Sequence, residues 1–118
     1  MNFDKAREYA LSKKHVTESQ PFGDDVLVYK VLDKMFTLLN FEIPPQVSLK
    51  CDPELAVELR EKYNAVLPGY HMNKTHWNTV ILNSTIPQKE IMYMIDMSYN
   101  LVVSSFPKTK QQKFFSGK

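Results

Sequence analysis

The most constraining feature of this sequence is the segment Asp52-Pro53-Glu54, where a helix is predicted to begin. The Asp52 carboxylate can accept a hydrogen bond from a free N–H group of the first turn, and proline suits the first helical position because it has no N–H. Glu54 is favourable at the positive end of the helix dipole. Just before it, Val47-Ser48-Leu49-Lys50 is predicted to be a short strand. The chain therefore mixes strands and helices within one fold.

The other elements follow from apolar periodicity and from turn residues. Strands are predicted where β-branched and aromatic residues cluster, and helices where apolar residues recur every three or four positions. In chain order, the predicted elements are a helix from Asn2 or Asp4 to about Lys14, strands over 26–31, 35–41 and 47–50, a helix from Pro53 to about Tyr63, strands over 65–67 and 77–82, and a helix from Pro87 to Pro107. Asp33-Lys34 is the predicted turn of the first hairpin, and 16–25 is assigned to a connecting turn. The order is α-β(3)-α-β(2)-α, an α+β single domain with a mostly antiparallel sheet packed by helices.

The length and the cysteine content bound the class of protein. A chain of 118 residues is expected to form one domain, here residues 1–107, followed by the basic tail 108–118, which is expected to fray unless it docks. Cys51 is the single cysteine, which excludes an internal disulfide and fits a reducing compartment. No signal peptide and no membrane span are expected, and the predicted location is the cytoplasm.

The charge is distributed unevenly although its net value is only +2. Residues 1–61 hold eight basic and eleven acidic side chains, whereas residues 62–118 hold seven lysines against Glu90 and Asp96. Such an asymmetry is compatible with a face that binds a polyanion. It is equally compatible with lysines spread evenly over the surface.

The polar stretch from Pro68 to Trp77 is the main candidate for recognition. It opens with the turn signal Pro68-Gly69 and contains two of the three histidines and the single tryptophan. Loops of this kind, displayed by a rigid scaffold, often carry binding residues. Tyr70, Asn73 and Lys74 are predicted to be surface residues. Trp77 could stack on a ligand, but burial as the anchor of its strand is favoured.

No catalytic or metal chemistry is predicted. His71 and His76 are five residues apart, so their side chains diverge on a strand or on a helix, and no further ligand pair accompanies them. Cys51 precedes a helix N-terminus, where a thiol can be activated, but packing as a small apolar residue is favoured. The chain is expected to be neither an enzyme nor a cofactor-binding protein.

Taken together, these segments resemble the MmcQ/YjbR-like family along nearly the whole chain. The resemblance is carried by Pro21-Phe22-Gly23, Lys30-Val31, Lys34-Met35-Phe36, Leu49-Lys50-Cys51-Asp52-Pro53, Pro68-Gly69-Tyr70-His71-Met72-Asn73-Lys74, His76-Trp77-Asn78-Thr79, Ser98-Tyr99-Asn100-Leu101-Val102 and Pro107-Lys108. Asp33 departs from the pattern, since the family often has glycine in that turn. The resemblance implies the same α-β(3)-α-β(2)-α order, in an architecture similar to secretion chaperones, with no established catalytic residues.

The resemblance also implies a relation to double-wing modules, whose hairpins contact duplex DNA. The first hypothesis is therefore a non-catalytic DNA-binding protein that contacts phosphates with a basic loop and hairpin face. The candidate residues are Lys34, Lys50, Tyr70, His71, Asn73, Lys74, His76, Trp77, Lys108 and Lys110. The alternative is a module that binds another protein or a small ligand and has no role with nucleic acid. Fold analogy alone does not decide between them.

Overall fold

The structure, a computed structural model, describes residues 1–69 and 72–116. Its elements are α1 (Phe3–Leu11), β1 (Val16–Ser19), β2 (Val26–Val31), β3 (Lys34–Asn40), β4 (Gln46–Lys50), α2 (Pro53–Lys62), β5 (Val66–Pro68), β6 (Trp77–Ile81), α3 (Gln88–Ser104) and α4 (Lys108–Phe115). The strands form one antiparallel sheet in the order β1-β2-β3-β4-β6-β5. The predicted α+β single domain is confirmed.

One strand and one helix go beyond the predicted order. Residues 16–19, assigned to a connecting turn, form β1 at the edge of the sheet and pair with β2. Residues 108–115 form α4, which docks on the domain. His15 Nε2 lies 2.8 Å from the Phe114 carbonyl oxygen, and the Phe115 ring stacks 6.3 Å from the Phe106 ring.

The main core lies on the face of the sheet that packs against the helices, which we call the helix face. Alternate residues of the strands point to it, as expected from the two-residue period of a strand. Its fully buried side chains include Tyr29, Phe36, Leu39, Val47 and, from α3, Ile95. The other side of the sheet, the open face, carries cross-strand rows such as Val28, Leu38, Ser48 and Thr79.

The turn between β2 and β3 lies one residue earlier than predicted. Val31 pairs with Lys34, so the turn residues are Leu32 and Asp33, with φ of 47° and 72°. Positive φ at both positions is the signature of the two-residue hairpin turn that matches the twist of the strands. Lys34, predicted to lie in the turn, is therefore the first residue of β3.

A buried hydroxyl joins α3 to the centre of the sheet. Ser98 Oγ donates to the Phe36 carbonyl oxygen and accepts from the Lys50 backbone N–H at 2.9 Å. A hydrogen-bonded polar group in the core fixes the relative position of the elements that share it. The C-terminal half of α3 is thereby held beside the start of β3 and the end of β4.

Candidate nucleic-acid interface

The directions of the strands bring most of the predicted basic candidates to one end of the sheet. β2, β4 and β5 end there, and β1, β3 and β6 begin there. The junction of α3 and α4 lies beside it, since Lys34 Nζ is 3.4 Å from Ser105 Oγ. We call this the basic end. Its Lys and His residues are Lys14, His15, Lys30, Lys34, Lys50, Lys74, His76, Lys108 and Lys110, and the carboxylates of Asp33 and Asp52 lie among them.

The opposite end of the sheet is richer in carboxylates. Asp24 and Asp25 precede β2, and Glu42 follows β3. Charge is thus separated along the strand direction rather than between the two faces. An anionic polymer would therefore be attracted more strongly to the basic end than to the other end.

Lys34 and Lys110 meet at one corner of the basic end, where Lys108 begins α4. Lys34 Nζ lies 5.2 Å from the centroid of the Phe106 ring, and Lys110 Nζ lies 4.8 Å from the same centroid. An aromatic ring attracts cations through its negative face, which offsets part of the repulsion between the two ammonium groups. The corner concentrates positive charge that the sequence alone does not bring together.

Asn73 closes the loop between β5 and β6 and does not offer its carbonyl to a base edge. Its Oδ1 accepts from the backbone N–H groups of Thr75 at 2.8 Å and His76 at 3.3 Å. Its backbone carbonyl accepts from Trp77 N at 2.8 Å. Such local bonds are how asparagine shapes turns. Through these bonds the Asn73 side chain holds the backbone of the loop.

Trp77 is buried and is not available as a stacking surface. It is 8% exposed, and it pairs across the sheet with Lys50. A Cβ atom added at Gly69 would lie 2.8 Å from Trp77 Cβ, so only glycine allows this close approach. Trp77 is thus buried at the start of β6, in agreement with the favoured prediction that it anchors this strand.

Arg60 of α2 is a site residue that helical spacing does not reveal, because the spacing predicts that it faces outward. Its Nη1 donates to Asn78 Oδ1 at 2.9 Å and to the Lys74 carbonyl oxygen at 3.3 Å. Asn78 is 3% exposed and also donates to the Ala56 carbonyl oxygen. A buried amide needs such partners. Arg60 therefore fixes the backbone that presents Lys74.

The remaining candidates are exposed or half-buried. His76 is exposed, and its carbonyl oxygen accepts from Cys51 N at 2.7 Å, which holds the loop against the start of α2. Lys50 is half-buried at the end of β4, between the loop and the corner formed by Lys34 and Lys110. Tyr70 and His71 lie outside the described residues.

Cys51 has the environment of a packing residue. It is 5% exposed, and burial raises the pKa of its thiol, with a further contribution from the nearby Asp52 carboxylate. A nucleophilic thiol needs the opposite shift, because the thiolate is the reactive form.

Within residues 1–69 and 72–116, no group of three or more His, Cys, Asp or Glu side chains is placed to hold a metal ion. The helices described there include none with the length and apolar character that crossing a bilayer requires.

The comparisons with known proteins give a consistent result. The family model described as YjbR matches residues 11–101. The Escherichia coli K12 protein named "Uncharacterized protein YjbR" is 34% identical over 113 residues, which cover 95% of this chain and 96% of that protein. The Bacillus subtilis protein named "Uncharacterized protein YyaQ" is 35% identical over 99 residues, which cover 84% and 80% of the two chains.

Solved structures resemble the chain in fold as well as in sequence. A crystal structure of a Deinococcus radiodurans protein, assigned to the domain family DUF419, superposes with a TM-score of 0.89 at 37% identity, covering 95% of this chain and 86% of that one. A crystal structure from Pseudomonas syringae gives a TM-score of 0.75 at 33% identity, covering 86% and 98%.

Proposed function

The chain belongs to the YjbR family, and we propose that it is a non-catalytic DNA-binding protein that contacts duplex phosphates with the basic end of its sheet. The observation that carries the proposal is the gathering of lysines at that end, with carboxylates concentrated at the other. Contacts to phosphate supply most of the affinity of non-specific DNA binding. A net charge of +2 is small, so the local arrangement of charge has to provide the attraction.

The positions of two hairpin tips support the proposal. The turn between β2 and β3 and the loop between β5 and β6 both project from the basic end. In the strand order, the centres of these hairpins are three strand spacings apart, about 14 Å at the usual spacing. That separation is comparable to the width of the DNA major groove, about 12 Å. Two tips at this distance would act as the two wings of the proposed interface.

The basic end offers phosphate contacts rather than sequence readout. Lysine ammonium groups position a protein on the backbone of the duplex but carry no information about bases. The Asn73 carbonyl, which could have accepted a bond from adenine, is engaged by Thr75 and His76. We therefore expect weak binding, with a dissociation constant of about micromolar or higher and strong salt dependence.

A titration of a short labelled duplex at increasing salt tests this function. Lys34→Ala and Lys110→Ala should each reduce the slope of log K against log salt by about 0.9, and they should weaken binding to all sequences alike. Lys89→Ala is the matched control, because it removes the same charge from the start of α3, away from the basic end. Absence of binding at low salt, or an equal effect of Lys89→Ala, would contradict the proposal.

A cytoplasmic location accompanies the proposed function. DNA is accessible in that compartment, and the single cysteine is kept reduced there without the need for a disulfide partner.

A further inference from the structure

The open face of the sheet holds a cavity of about 620 Å³, which extends from Asp25 and Glu42 at the acidic end of the strands to Met35 and Met72 toward the basic end. The volume falls within the range of about 300–1,000 Å³ that is typical of small-molecule sites. The floor is formed by β2, β3, β4 and β6, and three connections supply walls: Phe22 and Asp25 before β2, Glu42 after β3, and Met72 before β6. The cavity is therefore a bowl bounded by loops.

The register of the sheet explains the chemistry of the floor. One row across the open face holds Val26, Asn40 and Gln46, and the next includes Leu38, Ser48 and Thr79. The Ser48 and Thr79 hydroxyls are 3.0 Å apart and bond to each other. Met35 and Met72 add flexible thioether side chains, which adapt to ligands of different shape. The centre of the bowl suits an apolar body.

Two carboxylates, those of Asp25 and Glu42, line one rim of the bowl. The Asp25 carbonyl oxygen accepts from Phe41 N at 3.0 Å, which places Asp25 beside the residue that precedes Glu42. Glu42 N donates to Asn40 Oδ1 at 2.9 Å, and Gln46 Nε2 lies 3.4 Å from Glu42 Oε1. Among the described residues, no Lys, Arg or His side chain lines the bowl. The rim is therefore acidic, and the described residues that line the bowl supply no positive charge to neutralise it.

We propose that this bowl binds a small organic cation, a protonated amine attached to an apolar body. The ammonium group pairs with Asp25 and Glu42, and the Phe22 ring, 62% exposed at the same wall, adds apolar contact and a negative π face. The apolar body covers Leu38, Met35 and Met72. An anion of the same shape would face two like charges, so the ligand class is opposite in sign to DNA.

The carboxylates of the bowl lie at the opposite end of the sheet from the lysines of the basic end, although Met35 and Met72 extend the lining toward those lysines. Asp25 directly precedes β2 and Lys30 lies near its end, five residues later, which corresponds to about 16 Å along a strand. Asp25 and Glu42 take no part in the proposed phosphate contacts, so a failure of DNA binding would not remove the amine site. Failure of amine binding would likewise leave the lysines of the basic end in place.

The site can be tested by methyl NMR of the protein labelled at its six methionines. The probes are phenylbutylamine, phenylbutanol and phenylbutyrate, which share an apolar phenylalkyl group and differ in charge. Met35 and Met72 line the bowl, whereas Met1, Met92, Met94 and Met97 lie elsewhere in the protein and serve as internal controls. The amine should shift the methyl signals of Met35 and Met72 in a saturable manner, with a millimolar dissociation constant. This affinity is about what a ligand of this size reaches at a modest binding energy per non-hydrogen atom. The alcohol should bind about tenfold more weakly than the amine.

The double variant Asp25→Asn, Glu42→Gln should lower the affinity for the amine about tenfold and leave that for the alcohol unchanged. Glu54→Gln, Glu58→Gln is the matched control, since it removes two charges from α2 on the helix face. The proposal is overturned if phenylbutyrate binds as well as the amine, if the shifts appear mainly at the other methionines, if no saturable shift develops, or if both double variants weaken the amine equally.

Discussion

Glu18 illustrates how a single charged residue decides local structure. Its carboxylate accepts two bonds from Arg7, at 2.7 and 2.9 Å, and one from the Tyr29 hydroxyl at 2.7 Å. Tyr29 is fully buried, so its hydroxyl needs this acceptor. The pKa of the Glu18 carboxyl lies below its ordinary value of 4.5, chiefly because the carboxylate accepts hydrogen bonds from Arg7 and, to a smaller extent, from Tyr29. These bonds outweigh partial burial, which acts in the opposite direction. Burial raises the pKa of the Tyr29 hydroxyl, and its hydrogen bond to Glu18 raises this pKa further. The hydroxyl therefore keeps its proton and remains a donor.

A lowered pKa in the folded state makes stability depend on pH in a defined direction. The stabilising contribution of Glu18 is fully present above its ordinary value of 4.5 and is lost as the pH falls through the lower folded value. We expect Glu18→Gln to reduce the free energy of unfolding by about 1 kcal/mol at neutral pH. Urea unfolding at several pH values should show a smaller loss of stability on acidification in the variant. Glu8→Gln, exposed on α1, is the control, and equal pH dependence in all three proteins would argue against this role.

At the scale of elements, a strand or helix can be predicted where its own residues carry a local signal. The proline and the acidic cap at Asp52-Pro53 start α2, and the apolar stripe of α3 defines its buried face. β1 lacks such a signal, because Val16-Thr17-Glu18-Ser19 offers a single apolar residue and becomes a strand by pairing with β2. α4 is similar, since its apolar residues are the adjacent Phe114 and Phe115. Tertiary contacts create both elements.

The docking of α4 leads to a prediction opposite to that for a frayed tail. The Phe115 ring lies 6.3 Å from Phe106, 6.4 Å from Tyr99 and 5.4 Å from His15. Phe115→Ala should cost about 1–2 kcal/mol of apolar burial and lower Tm by about 5–10 °C for a chain of this size. Gln112→Ala, exposed on the same helix, is the control for helix propensity. An unchanged Tm in thermal unfolding of Phe115→Ala would mean that α4 contributes nothing to stability.

At the scale of the whole molecule, topology determines where the charges lie. The sequence identifies the lysines and the polar loop, but the basic end depends on strand directions and on pairing between β4 and β6, which skips β5. The meeting of Lys34 with Lys110 over Phe106 depends on the docking of α4. Local sequence patterns contain neither relation. The sequence therefore suggests candidate residues, whereas their arrangement, and the hydrogen bond from Arg60 to Asn78, could not be predicted from it.

Charge separation along the strands should be measurable without DNA. Two double variants change the net charge equally but at different places. The first is Lys34→Gln with Lys110→Gln, at the basic end. The second is Lys5→Gln with Lys89→Gln, at the starts of α1 and α3, away from the basic end. A charged matrix senses charge within about one Debye length, about 10 Å at moderate salt. On a cation-exchange column, the first double variant should elute at clearly lower salt than the second. Coelution of the two would show that the protein presents its charge uniformly.

The shortness of the outermost strands limits how copies of this protein can associate. A sheet grows by adding a strand to a row of free N–H and C=O groups at its border, which is also how many aggregates begin. Here one border is β1, four residues long, and the other is β5, three residues long and ending in Pro68, which has no N–H to donate. Continuous intermolecular sheets are therefore disfavoured from both sides. Even at high concentration, neighbouring copies would meet through side chains rather than through shared backbone hydrogen bonds.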